Sequence, residues 1–238
     1  MRVAVISDVH GNLHALEAVL AAIDAEGPDE LWCLGDLVGY GARPNECCEA
    51  VAGRAAICLA GNHDLAVIGT IDLLEFGGDA AVAAGWSREV LADEQRAWLE
   101  SLQPQGRRDD VALYHGSARD PVWEYVLSDE SAKATLDLAE APLVLVGHSH
   151  MALLATDAVG GLAPDGTEVD LAGGRTLLNP GSVGQPRDGD PRAAWLLLDL
   201  DAQRAEFRRQ EYDIERTQTE IREAGLPELL AARLALGQ

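Results

Sequence analysis

Five short polar clusters interrupt the apolar first part of the chain: Asp8-Val9-His10-Gly11-Asn12, Gly35-Asp36, Gly61-Asn62-His63-Asp64, His115-Gly116 and Gly147-His148-Ser149-His150. Counted as metal donors, Asp8, His10, Asp36, Asn62, His115, His148 and His150 make a mixed nitrogen and oxygen set with no cysteine. Seven donors are too many for one ion, but two divalent ions sharing a bridging carboxylate would use them well. Carboxylate with imidazole favours first-row ions of borderline softness: manganese first, with iron, zinc or nickel as alternatives. Two ligand carboxylates neutralise only half the charge on such a pair. The remainder would attract a phosphate oxyanion.

The elements around these clusters should bring them together. Arg2–Ile6, Leu31–Leu34, Ala55–Leu59, Val111–Tyr114 and Leu143–Val146 read as buried strands, and each is followed within two residues by one cluster. Between them, helical periodicity marks Leu16–Ile23 (ended by Gly27-Pro28), Pro44–Ala52, one long helix over Asp79–Leu102 and Ser128–Glu140. Strand–helix alternation gives a largely parallel sheet, whose strand C-terminal ends lie on one edge, where ligands bind. Asp8 and His10, two apart on a segment expected to be extended, should project to the same side, and His148 and His150 repeat the device. Beyond His150, short runs separated by Gly, Pro and Asp predict an antiparallel sheet of hairpins, and the chain turns helical from about residue 213. With no repeat and no low-complexity linker, residues 1–238 read as one domain.

Composition narrows the partners. Lys+Arg is 18 against Asp+Glu 40, a net charge of −22, and Lys133 is the one lysine. Such a surface repels phosphate backbones, which excludes non-specific nucleic-acid binding. The four cysteines do not form a disulfide framework: Cys47 and Cys48 are adjacent, and Cys33 and Cys58 lie in apolar runs. With Asp8 breaking the first apolar run and no 18-residue apolar stretch, neither a secretory leader nor a membrane span is expected. The expectation is a cytoplasmic protein that makes no membrane contact.

The ordered series D-x-H, G-D, G-N-H-D, H-G, G-H-x-H resembles the calcineurin-like metallophosphoesterases, and most of all their small bacterial and archaeal phosphodiesterase branch. The Asn179-Pro180-Gly181-Ser182-Val183 loop is similar to that branch too. The resemblance implies an α/β fold, a four-layer α/β/β/α sandwich of two mixed sheets. It also implies a dinuclear site in which Asp8, His10, Asp36 and His150 hold one metal, and Asp36, Asn62, His115 and His148 the other. The implied activity is hydrolysis of a phosphate ester, preferably a diester, by in-line attack of a metal-activated water, with His63 assisting the leaving oxygen. Two departures bear on substrate. Phosphoprotein phosphatases and symmetrical dinucleoside-tetraphosphate hydrolases carry an arginine in the second motif, and the phosphatases another before the Asn-His motif. Here those stretches read Gly35-Asp36-Leu37-Val38 and Leu59-Ala60-Gly61-Asn62. A phosphomonoesterase, protein phosphatase or dinucleoside polyphosphate hydrolase therefore stands as an alternative, as does a scaffold without turnover.

Other residues have plainer expectations. Arg187 or Arg43 could replace the missing guanidinium. Asn12 reads as a helix cap with an accompanying phosphate contact. Asp64 reads either as a cap or as a group orienting His63, and His14 as solvent-facing. Cys33, Cys58, Trp86, Trp98, Trp123 and Trp195 read as packing residues. The C-terminal helical segment could pack on its own domain or on a second copy in a homo-oligomer.

Overall fold

The computed structural model describes residues 1–238 and contains twelve strands, β1 to β12, in two sheets. Along the chain these are β1 (Arg2–Ile6), β2 (Glu30–Cys33), β3 (Ala55–Cys58), β4 (Gln105–Arg108), β5 (Val111–Tyr114), β6 (Leu143–Leu145), β7 (Ala152–Thr156), β8 (Gly160–Leu162), β9 (Glu168–Asp170), β10 (Thr176–Pro180), β11 (Ala193–Asp199) and β12 (Arg204–Gln210). The helices are α1 (Leu13–Glu26), α2 (Pro44–Ala52), α3 (Asn62–Val67), α4 (Gly78–Val90), α5 (Asp93–Glu100), α6 (Asp129–Ala139), α7 (Ile214–Glu223) and α8 (Glu228–Ala232). One sheet has the order β3-β2-β1-β11-β12-β9 and the other β4-β5-β6-β10-β7-β8. Both are mixed. β1, β2 and β3 run parallel, as do β5, β6 and β10, while β11 and β7 join antiparallel.

Period-two side-chain alternation builds the layers. On β1, Val3 and Val5 face the second sheet and meet Trp32, Leu113, Leu145, Leu178 and Phe207. Ala4 and Ile6, on the opposite face, pack under Leu16, Val19 and Ile23 of α1. Leu136 and Ala132 of α6 cover the outer face of the second sheet against Val144 and Leu177. The result is helix, sheet, sheet, helix.

Several expectations change. The strands after His150 do not form their own sheet: β7, β8 and β10 extend the second sheet, and β9, β11 and β12 the first. The single helix expected over Asp79–Leu102 is two, because Asn45 bridges a break. Its amide donates to Val90 O at 2.9 Å and its Oδ1 accepts from Ala92 N at 2.8 Å. The apolar periodicity runs on across that break, so sequence spacing alone did not reveal it. The reading also missed α3, β4 and β8, which are short; β4 (Gln-Gly-Arg-Arg) carries no apolar alternation.

His14 is not solvent-facing. Its side chain is 9% exposed, and its Nε2 lies 3.1 Å from Glu220 on α7. Arg43 binds the same carboxylate and that of Glu46, so its guanidinium is occupied and cannot serve substrate. Cys33 is buried and Cys58 half-buried on the first-sheet core, and hydrogen bonding to the Cys33 sulfur, with burial second, pushes the Cys58 thiol up.

Candidate metal centre

The five clusters do meet at one rim, although not by the backbone the spacing suggested. Asp8, His10, Asp36, His148 and His150 all have positive φ, between 49° and 63°. The D-x-H and H-x-H pairs therefore alternate through left-handed residues instead of running extended. Such conformations cost about 1–3 kcal/mol each and persist only where the surroundings fix them. Here the loops are laced together. Asp8 N donates to Gly35 O at 2.9 Å, His10 N to Asp36 O at 2.9 Å, Gly147 N to His115 O at 2.9 Å, and Gly184 N to Asp8 O at 2.9 Å. Asn179 donates its amide to Gly147 O at 2.6 Å, tying β10 to the loop that carries His148.

Asp64 caps α3 through Gly61 N, one of its two expected uses, but it also binds a second loop and makes no hydrogen bond to the His63 imidazole. Its Oδ2 accepts from Gly61 N (2.9 Å) and Asp36 N (2.8 Å), and its Oδ1 from Leu37 N (2.9 Å) and Val38 N (3.2 Å). One fully buried carboxylate thus binds two loops by four backbone amides. Glycine at position 61 is required by the same closeness, since a Cβ there would overlap the Asp36 carboxylate.

These restraints leave particular atoms free. Asp8 Oδ2 accepts from His148 N at 3.0 Å and Asp36 Oδ1 from His63 N at 2.9 Å. Asp8 Oδ1 and Asp36 Oδ2 are buried with no hydrogen-bond partner. The imidazoles behave alike. Nδ1 of His10, His115 and His150 faces the carbonyl oxygens of Val38 (3.0 Å), Leu34 (2.9 Å) and Gln185 (2.7 Å), and Nε2 of His148 faces Trp123 O (3.2 Å). A carbonyl can only accept, so those nitrogens carry the protons and the remaining ring nitrogens are bare lone pairs.

The bare nitrogens converge. His10 Nε2 and His150 Nε2 are 3.0 Å apart, with His150 Nε2 3.4 Å from Asp8 Oδ1 and His10 Nε2 3.6 Å from Asp36 Oδ2. His115 Nε2 lies 3.2 Å from His148 Nδ1, 3.2 Å from Asn62 Oδ1 and 3.5 Å from Asp36 Oδ2. Asp8, His10, Asp36 and His150 form one donor group, and Asp36, His115 and His148, with Asn62 beside them, a second; Asp36 is common to both. Ring lone pairs facing one another in a dry site repel, and no imidazole proton lies between them. The donor set fits divalent cations.

Burial without a counter-cation penalises charge here, so it keeps the imidazoles neutral and pushes the carboxyls toward the protonated form. It raises the Asp8 carboxyl to about 7 and holds His10 and His150 well below the usual imidazole range, with His148 near 2. Burial and the Asp64 carboxylate together raise Asp36 well above the ordinary value. Neutral histidines are ready ligands.

A cleft of about 250 Å³ opens over these donors, lined by Asn62, His63, Tyr40, Phe76, Trp123 and Arg187 among others. His63 is buried, its ring 4.9 Å from that of His10 at 83°, with Nδ1 unpartnered; burial lowers its pKa to about 3. Arg187 donates to Gln185 Oε1 at 2.9 Å, lies 3.4 Å from the Tyr40 hydroxyl and sits over that ring. Asn12 is elsewhere. Its Oδ1 caps α1 through Ala15 N and accepts from Thr217, and its amide donates to Gly184 O. Trp123, expected in packing, lines the cleft. Tyr40, Phe76 and Tyr125 also line it and were not singled out from the sequence, because aromatic residues in loops carry no spacing signal.

The description "Calcineurin-like phosphoesterase superfamily domain" matches residues 1–203. A crystal structure of a metallophosphoesterase from Sphaerobacter thermophilus is 46% identical, covers 100% of this chain and 99% of its own, and superposes with a TM-score of 0.92. An uncharacterized protein of Methanocaldococcus jannaschii is 37% identical over 99% of this chain and 98% of its own length. The symmetrical bis(5'-nucleosyl)-tetraphosphatase of Actinobacillus pleuropneumoniae is 36% identical over 105 residues, 42% of this chain and 38% of that enzyme.

Proposed function

Because the chain belongs to the calcineurin-like phosphoesterase superfamily, we propose that it is a metal-dependent phosphodiesterase acting on a small, nucleotide-like phosphate ester. One observation carries the reading: two buried donor groups sharing Asp36, beneath a cleft lined by His63 and Arg187. Asp8, His10, Asp36 and His150 would hold one divalent ion, and Asp36, Asn62, His115 and His148 the other. Manganese is the first candidate, with iron, zinc or nickel as alternatives. When bound, the pair supplies Lewis-acid polarisation of phosphoryl oxygens and a more acidic attacking water.

The chain's own groups supply the rest. His63 borders the cleft above Asp36 and offers a ring nitrogen to the leaving oxygen, an effect worth roughly 10²–10⁴-fold. Arg187, pinned by Gln185 and Tyr40, holds a non-bridging oxygen. The backbone lacing keeps the ligand carboxylates fixed, so little reorganisation accompanies the reaction.

Charge favours the diester. Arg187 is the one cationic side chain lining the cleft, and Glu75 lines it too. Beyond a bound metal pair, the chain thus offers one guanidinium and no second cation to grip a dianion or a polyphosphate. The stretch similar to tetraphosphatases covers only 38% of the enzyme matched. The retained His63 argues against a scaffold without turnover. Four free thiols, three of them buried, support a reducing compartment such as the cytoplasm, and no helix is long and apolar enough to cross a membrane.

The test is hydrolysis of bis(p-nitrophenyl) phosphate against p-nitrophenyl phosphate after reconstitution with Mn²⁺, with EDTA as control. The expected result is EDTA-sensitive turnover favouring the diester. A preference for the monoester would overturn the diester assignment, and no hydrolysis of any ester would overturn the enzyme itself.

A further inference from the structure

One wall of the cleft is aromatic, and nothing in phosphoester hydrolysis requires it. Phe76 stands edge-on to His63 with ring centroids 4.8 Å apart, and tilts against Trp123 at 5.2 Å. Tyr125 lies flat on His148, centroids 4.1 Å apart and planes within 4°. Phe76 and Trp123 are half-buried and Tyr125 is 46% exposed. Their rings border open space and do not fill a core.

The division of labour at position 123 is informative. The main-chain oxygen of Trp123 takes the His148 proton, which orients that ring. The indole plays no part in this, yet it is turned to the same cleft. Large rings left partly wet beside a polar site are the usual means of gripping a planar partner by stacking. The space, about 250 Å³, exceeds what a phosphoryl group occupies but is small by the standards of ligand pockets, which suits one ring system.

We infer that Phe76 and Trp123 are specificity-determining residues whose mutually packed rings form one wall of an open slot, against which one planar aromatic substituent, an aryl ring or a nucleobase, of a phosphodiester stacks. The inference rests on the phosphodiesterase reading and deepens it. The slot selects which ester is held, while His63 and the ligand residues act on the phosphorus.

Titration calorimetry of the Mn²⁺-loaded protein with diphenyl phosphate and with dimethyl phosphate tests the slot by affinity, not by rate. Diphenyl phosphate should bind at least tenfold more tightly. Trp123→Ala and Phe76→Ala should each shrink that ratio about fivefold, and Trp123→Leu and Phe76→Leu, which keep apolar bulk without a ring, should shrink it as well. Metal content measured on each variant shows that the site remains assembled. A wild-type ratio near one, or a ratio that survives in the alanine variants or is restored by leucine, would overturn the slot. The two readings separate: a ratio that behaves as stated in a protein hydrolysing no phosphoester refutes the enzyme and leaves the slot, whereas diester hydrolysis with a ratio near one does the reverse.

Discussion

The Asp64 carboxylate offers a sharp test, because its role is geometric and its burial is complete. Four backbone amides, from Gly61, Asp36, Leu37 and Val38, end on its two oxygens at 2.8 to 3.2 Å. In Asp64→Asn one oxygen becomes an NH₂ group of nearly the same size, so packing is preserved while two of the four amides face a donor. Each lost bond to a buried charged acceptor costs about 1.5–3 kcal/mol, so the two together should cost about 3–6 kcal/mol. That is a large share of the roughly 5–15 kcal/mol that holds an ordinary domain together, and for a chain of this size it corresponds to a fall in Tm of roughly 6–24 °C. The same amides fix the Asp36 loop, so manganese affinity should drop about 10–100-fold, the usual effect of removing a residue that supports a metal ligand. Differential scanning calorimetry of the EDTA-treated protein gives the first quantity and manganese titration the second. A variant within 1 kcal/mol of wild type that binds manganese normally would refute the reasoning, since it would mean the two loops hold their shape without the carboxylate.

Three further outcomes are expected. His63→Ala should keep its metal content and lose 10²–10⁴ in kcat on bis(p-nitrophenyl) phosphate; unchanged turnover would remove His63 from the chemistry. Manganese at 100 times its dissociation constant should stabilise the protein by about 2.7 kcal/mol per ion, and Asp36→Ala, which strips the residue common to both donor groups, should abolish most of that gain; a full gain in the variant would show that Asp36 binds neither ion. Finally, the Arg43 guanidinium holds the Glu220 carboxyl below its ordinary value. A depressed carboxylate contributes stability above its unfolded pKa, near 4.3, and loses it as pH falls through the lower folded value. The stability difference between wild type and Glu220→Gln should therefore be flat above about pH 5 and shrink below pH 4.3, read by urea unfolding across pH; a difference that grows with acid would reverse the assignment.

Much of the site was legible in the residues alone. Carboxylates and histidines placed directly after apolar runs identify metal donors, because donor chemistry belongs to the side chain and strand periodicity is local. The candidate donors Asp8, His10, Asp36, His115, His148 and His150 follow from that, as do most of the strands. The break between α4 and α5 did not follow, because Asn45 makes it from more than forty residues away. Nor did the roles of Asp64, Asn12 and His14, whose short polar side chains have several local uses until a distant partner selects one.

Sequence by itself determined which donor types this chain owns and the order in which strands deliver them to a common rim. Tertiary structure alone decided which carboxylate oxygens stay free and that Phe76, Trp123 and Arg187 border the same cleft. The reason is physical. Periodicity and donor type act over a few residues, whereas hydrogen-bond satisfaction is settled between loops such as those of Asp8 and His148, which meet only after two sheets have packed.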